Sequence, residues 1–260
     1  MRAAGAIACQ VWRELYRRKD IYVLFILLGA LLLTLVSGDI FGVAGAGRYV
    51  LEAGLLLAWA FSLILLIATT ARQLPTEEER GTIYPLLAKP LTRAEYLLGK
   101  WFGCWAAIWA ATALFYLLSA GVVWGQGGAV GLPELLQAFL LHGLLLAWLG
   151  AATLALSTRC STAATMALAW IGLAVSGLVA PAVPTVVAQA PAVSRELLLA
   201  LYYALPHAAL FDLRVRAVHQ WGAAPAGAIA LTAAYGLCWT LFFLLLAWLG
   251  YRRKRFKPTT

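Results

Sequence analysis

Side chains able to do chemistry are scarce in this sequence and concentrated in one place. Residues 76–100 read TEEERGTIYPLLAKPLTRAEYLLGK. They hold four of the eleven acidic residues (Glu77, Glu78, Glu79, Glu95) and four of the twenty basic ones (Arg80, Lys89, Arg93, Lys100). Elsewhere His142, His207 and His219 are scattered, and Cys9, Cys104, Cys160 and Cys238 form no C-x-x-C pair. No nucleophile stands beside a base and no metal-ligand spacing is visible, so a metal site and disulfides are not expected. The phosphate loop G-x-x-x-x-G-K-[ST] does not occur either. The chemistry that 76–100 offers is therefore recognition. Charges of both signs frame Ile83, Tyr84, Leu86 and Leu87, on a stretch too short to bury them by itself, and such a rimmed apolar group marks a contact surface for a protein. The alternative is that these side chains dip into lipid headgroups.

The segment is also sharply punctuated. Thr76 to Glu79 is T-x-x-E, a capping box that places three glutamates in a first helical turn, where the helix dipole favours anions. Gly81 allows a left-handed stop. Thr82 then caps a second short helix over 83–88, with Pro85 tolerated in its first turn and Pro90 ending it. Thr92 to Glu95 repeats the capping box and launches a longer helix.

The phase around these elements follows from composition. The chain of 260 residues is 63% hydrophobic and only 12% charged, with a mean hydropathy of +0.84. Soluble domains are nearer 45–50% apolar and about 25% charged, so this composition predicts an integral membrane protein. A crossing helix needs about 20 mostly apolar residues. Six runs qualify: 21–37, 50–71, 101–124, 134–157, 162–187 (blurred by Pro181 and Pro184) and 224–250. They are continuous rather than alternating, which favours helices over a β-barrel.

Six spans put both termini on one side. That side collects Arg2, Arg13, Arg17, Arg18, Lys19, the basic residues of 72–100, Arg159 and the tail from Arg252 to Lys257. The other side keeps Arg48, Arg195, Arg214 and Arg216. By the positive-inside rule both termini and the 72–100 segment are expected in the cytoplasm, in the inner membrane. The net charge of +9 then needs no nucleic acid, only topology and anionic lipid headgroups. A cleaved signal peptide is disfavoured, because the basic region is long and the first apolar run exceeds a usual signal core.

Residues 3–19 place Ile7, Ala8, Val11, Trp12, Leu15 and Tyr16 on one helical face and Gln10, Arg13, Glu14, Arg17 and Arg18 on the other, as in a helix lying in the headgroup plane. Residues 189–221 are broken by Pro191 and Pro206, and the run LLLALYYAL within them is too short to span. They are expected to form two short interfacial or re-entrant outer helices, with Ser194 as a cap and Asp212 able to pair with Arg216. Glu52 and Glu134 are shallow and read as interfacial. Small residues at four-residue spacing (Gly143, Ala147, Ala151; Gly172, Ser176) permit close helix packing. Trp101, Trp105, Trp124, Trp221 and Trp248 fall near span ends, as an aromatic belt predicts.

The pattern E-x-x-x-G-T, two apolar residues, P-L-[TS]-R and then G-K resembles the permease subunits of ABC-2-type ABC transporters. It is carried here by Glu77, Glu79, Gly81, Thr82, Leu86, Leu87, Pro90, Arg93, Gly99 and Lys100, with Pro85 as a departure. In-plane N-terminal helix, span number, termini and length agree over the whole chain. The resemblance implies that the loop after the second span, including Glu78 and Ile83, couples to a separate ATPase subunit that binds ATP and Mg. It also implies that a second permease copy or a paralogue completes the transporter, with no catalysis on this chain. The fold class expected is all-α: one permease domain over 1–260 with six transmembrane helices, working as an exporter. A secondary transporter or channel is disfavoured by the lack of buried ionisable residues, and a membrane scaffold or membrane-embedded enzyme by the lack of a catalytic cluster. Lipid-like, peptide, glycan and drug cargo would each suit an apolar lumen.

Overall fold

The computed structural model describes residues 2–17, 29, 46–79, 92–187 and 191–252. Among them every regular element is helical. The expected first span, 21–37, lies outside the described residues. So does the connection 80–91, which carries Gly81, Thr82, Ile83, Leu86, Leu87 and Pro90, as does Arg18.

Helix α1 (Arg2–Arg17) is followed by α2 (Ala46–Glu79), α3 (Arg93–Gly125) and α4 (Leu132–Ser157). Next come α5 (Thr162–Ala174), a π-helical turn (Val175–Val179) and α6 (Ala180–Val187), which together make one continuous helical stretch. The shorter α7 (Ala192–Ala204), a 3-10 turn (Ala208–Phe211) and α8 (Arg214–His219) lead to α9 (Ala226–Arg252). Five helical stretches are long and apolar enough to cross a membrane: 47–79, 93–125, 132–157, 162–187 and 226–252. The described residues thus account for five of the six expected spans. α7 and the segment 208–219 would make a further, bent crossing only if joined across a 41° break.

Of the two expected capping boxes, one does not form and one does. Thr76 does not open a new helix: α2 runs on through Pro75 to Glu79. A cap is needed only where backbone N–H groups lack partners, and inside a continuing helix Thr76 meets none. Pro75 has no N–H to donate to the preceding turn and its ring crowds that turn, yet the helix continues past it. The glutamates therefore end a helix, at the unfavourable pole of its dipole, rather than begin one. At Thr92 the same four-residue pattern does cap. Its hydroxyl accepts from the Glu95 N–H (3.2 Å), and its own N–H donates to the Glu95 carboxylate (3.1 Å). α3 therefore starts at Arg93, directly after the cap from which it was expected to start, and runs on into the apolar span expected from Trp101.

The spans are held by a seam of tryptophans. Trp101, Trp105 and Trp109 follow one another up α3 at four-residue intervals, stacked at 5.8 and 5.0 Å, with Phe139 continuing the column at 5.1 Å. Each indole N–H donates to a carbonyl of α4 descending at the same interval: Ala147 (2.9 Å), Gly143 (2.8 Å) and Phe139 (3.5 Å). Small side chains on α4 leave those carbonyls reachable, the close approach expected of the Gly143/Ala147 stripe. Trp101 and Trp105, expected in an aromatic belt, are thus committed to a helix–helix contact. Trp124 and Trp221 remain exposed. Trp105→Phe removes one such bond while keeping the stack, and should lower stability by about 1 kcal/mol, read from the thermal unfolding midpoint in detergent.

α1 lies along α3. Its Ile7, Ala8 and Val11 are buried, while Trp12 is half exposed and Arg13 exposed. Gly103 makes the approach possible, since a Cβ there would lie 3.0 Å from the Ala8 Cα and 2.9 Å from the Val11 Cβ.

Candidate functional site

At one end of the bundle four polar residues from the two flanks of the 72–100 segment meet. Gln73 and Glu77 are four residues apart on α2, and Tyr96 and Lys100 four apart on α3, so each pair projects from one helix face. The two faces oppose. Lys100, 2% exposed, forms an ion pair with Glu77 and donates to the Gln73 side-chain oxygen at 3.0 Å. The Tyr96 hydroxyl donates to the other Glu77 oxygen. An ammonium so deeply placed is tolerated only with such partners. Lys100 also offsets charge gathered at the negative pole of α2.

The network extends to the last helix. Tyr96 stacks on Tyr251 with ring centroids 5.8 Å apart, and Tyr251 is fully buried. Arg93 donates to the carbonyls of Tyr251 (3.1 Å) and Arg252 (2.7 Å), capping the C-terminal end of α9. An apolar layer of Ile7, Leu74, Leu97, Leu154 and Ala247 lies with the two tyrosines, bringing in α1 and α4. The residues from which the 80–91 connection departs and to which it returns are therefore tied to all these helices.

The predicted site residues separate accordingly. Glu77, Arg93 and Lys100 are brought together, with Gly99 buried next to Lys100, whereas Glu79 is exposed at the end of α2 and Glu78 partly so. Val11 is buried, Trp12 and Arg13 face outward, and Leu15 and Arg17 fall on the last turn of α1. Sequence reasoning missed Gln73, Tyr96 and Tyr251. The four-residue spacings Gln73/Glu77 and Tyr96/Lys100 were the available signal for the first two; for Tyr251 no signal exists short of the packing.

A second polar group lies in the interior. His142, 2% exposed, meets the Ser62 hydroxyl at 2.8 Å, and that hydroxyl also lies 2.8 Å from the Trp59 carbonyl. When the hydroxyl donates to Trp59, the imidazole Nε2–H is the donor to Ser62. Tyr116 packs against this ring, with 6.2 Å between centroids. Nearby, the Arg214 guanidinium covers the Trp59 ring at 4.5 Å and grips Asp212 through two bonds of 2.8 and 2.6 Å. Asp212 therefore pairs with Arg214, not with Arg216 as expected, and Arg216 donates instead to the Gly222 carbonyl. The i, i+4 rule needs a continuous helix, and Asp212 lies before α8 begins. Burial opposes ionisation of Asp212, but the hydrogen bonds and charge of Arg214 outweigh it and hold the carboxyl below its ordinary range. Nor does Ser194 cap a helix, because α7 has already begun at Ala192, after Pro191.

Ser176, in the π-helical turn, accepts from the Ala208 N–H (2.9 Å) and donates to the Pro206 carbonyl, pinning the break between α7 and α8 against that helical stretch. π-Turns of this kind concentrate at functional sites.

Long apolar helices locked by interior polar contacts define a multi-pass membrane protein. The chain belongs to the ABC-2 family of transporter proteins: the family model so described matches residues 64–256, from within α2 to beyond α9. No curated protein matches the sequence closely enough to count as a relative.

Proposed function

We propose that the chain is the permease subunit of an ATP-driven exporter, and that its 76–100 segment receives the stroke of a separate ATPase which binds ATP and Mg. The observation that carries this reading is the Glu77–Lys100–Tyr96–Tyr251 network. In this reading a push delivered to the 80–91 connection passes to the ends of α2 and α3, which the network ties together, and to α9 through Arg93. Family membership supports the ATPase, since ABC-2 permeases work with ABC ATPase partners. Both termini and the Lys100 end lie in the cytoplasm in this reading, α1 rests in the headgroup plane, and a second permease copy completes the path outward.

The test is co-purification with a candidate ABC ATPase, wild type against a Glu78/Glu79/Leu86/Leu87 tetra-alanine variant. Glu77 is kept, so that the buried ion pair remains and loss of folding does not imitate loss of docking. The ATPase should be lost from the variant while the permease elutes as a folded species. Retention of the ATPase would overturn the docking assignment. Absence of any ATPase from both samples would favour a secondary transporter or a scaffold.

A further inference from the structure

At the Lys100 end, a cleft of about 390 Å³ opens between the C-terminal turn of α4 and the last turns of α9. Ala155, Leu156, Leu246, Leu249 and Gly250 line it, with Thr158 and Arg159 at its polar edge. Leu246 and Leu249 are each 41% exposed, which in a membrane protein means open to acyl chains. Gly250 keeps the cleft open. A Cβ there would come within 2.7 Å of the Thr158 hydroxyl and 3.6 Å of the Arg159 Nε. The hydroxyl is already satisfied by the Ala155 carbonyl (2.7 Å).

Among the described residues, Arg159 is the one charged residue lining the cleft. It is exposed and forms no ion pair with any carboxylate among the described residues. It also stands three residues before α5, whose N-terminal pole adds to the positive field. A guanidinium with no ion pair among the described residues, at the rim of an apolar, bilayer-facing cleft, makes a site with two halves, one for an anion and one for a hydrocarbon chain.

The geometry points to a binding site for an anionic phospholipid, whose phosphate pairs with Arg159 while one acyl chain lies against Leu156, Leu246 and Leu249. Basic clefts between membrane helices near the headgroup plane recognise lipids in this way. A guanidinium can hold two phosphate oxygens at once, which a diffuse surface charge cannot. The site does not depend on an ATPase, so it is tested on the permease alone.

The experiment is native mass spectrometry of the full chain, released from detergent containing phosphatidylglycerol or phosphatidylcholine of matched acyl chains. The wild type should retain phosphatidylglycerol with about a fivefold preference, the contribution of one basic residue near a membrane surface. Arg159→Gln should bring that ratio close to one. Leu246→Trp, at a half-exposed position, should fill the cleft and reduce retention of both lipids. Arg48→Gln removes the same charge at the opposite end of the bundle and should leave the preference intact. The assignment fails if Arg48→Gln acts as strongly as Arg159→Gln, since net charge would then explain the effect. It fails equally if the wild type shows no preference, or if inorganic phosphate displaces the lipid completely, which would make the cleft an anion site without a chain.

Discussion

Replacing Lys100 by Met should be among the most damaging single changes in this protein. Methionine fits the apolar part of the space but leaves the Glu77 carboxylate without its cation and the Gln73 oxygen without its donor. Breaking a buried pair from one side costs about 3–5 kcal/mol, and the lower figure applies here because the Glu77 side chain is 15% exposed. For a chain of this size, that should lower the thermal midpoint in detergent by roughly 6–12 °C. The double variant Lys100→Met/Glu77→Gln should recover more than half of the loss, since no uncompensated charge remains and Tyr96 still finds an oxygen. Recovery identifies the pair as one energetic unit. Additive losses would show that each residue acts through separate contacts. In the ATP-driven reading the double variant also keeps its partner but transmits the stroke poorly, so ATPase binding should persist while transport falls.

The second large effect is expected at Gly103. Leucine there would drive its Cβ against the backbone of Ala8, which cannot rotate away as a side chain could. Overpacking of this kind costs about 1–3 kcal/mol, a roughly 5- to 150-fold rise in the detached population of α1. The readout is built in. Cys104 is 1% exposed beneath Val11, whereas Cys9 and Cys238 are exposed and Cys160 intermediate. In a background with Cys9, Cys160 and Cys238 replaced by serine, maleimide labelling of Cys104 should be slow in the otherwise wild-type chain and faster by that factor in Gly103→Leu. Unchanged labelling would mean that α1 is not what covers Cys104. Gly103→Ala, with the same Cβ and nothing beyond it, should fall between the two.

Both variants act on contacts that differ in how far they could be read beforehand. The helical face of α1 carrying Ile7, Ala8 and Val11 was legible, because it repeats with the helix period within a few residues. That α3 covers this face, through a glycine more than ninety residues away, was not. The Thr92–Glu95 capping box was legible and forms; the same letters at Thr76–Glu79 misled, because a cap depends on whether the preceding backbone is already helical. His142 looked isolated in the sequence since its partner, Ser62, is 80 residues distant. The tryptophans 101, 105 and 109 could be seen to share a face, but not that α4 would offer them carbonyls.

What the sequence determined by itself is the phase, the long helices and the place where charge gathers. Each follows from sums over neighbouring residues: apolar runs long enough for a bilayer, the 3.6-residue period, and the density of Glu, Arg and Lys in 76–100. Only the tertiary structure decided what those charges face. Glu77 and Lys100 could each have met water or another protein. The relative rotation and height of α2 and α3, set by the packing of the two helices, turn both toward each other instead, where desolvation demands a partner of opposite sign.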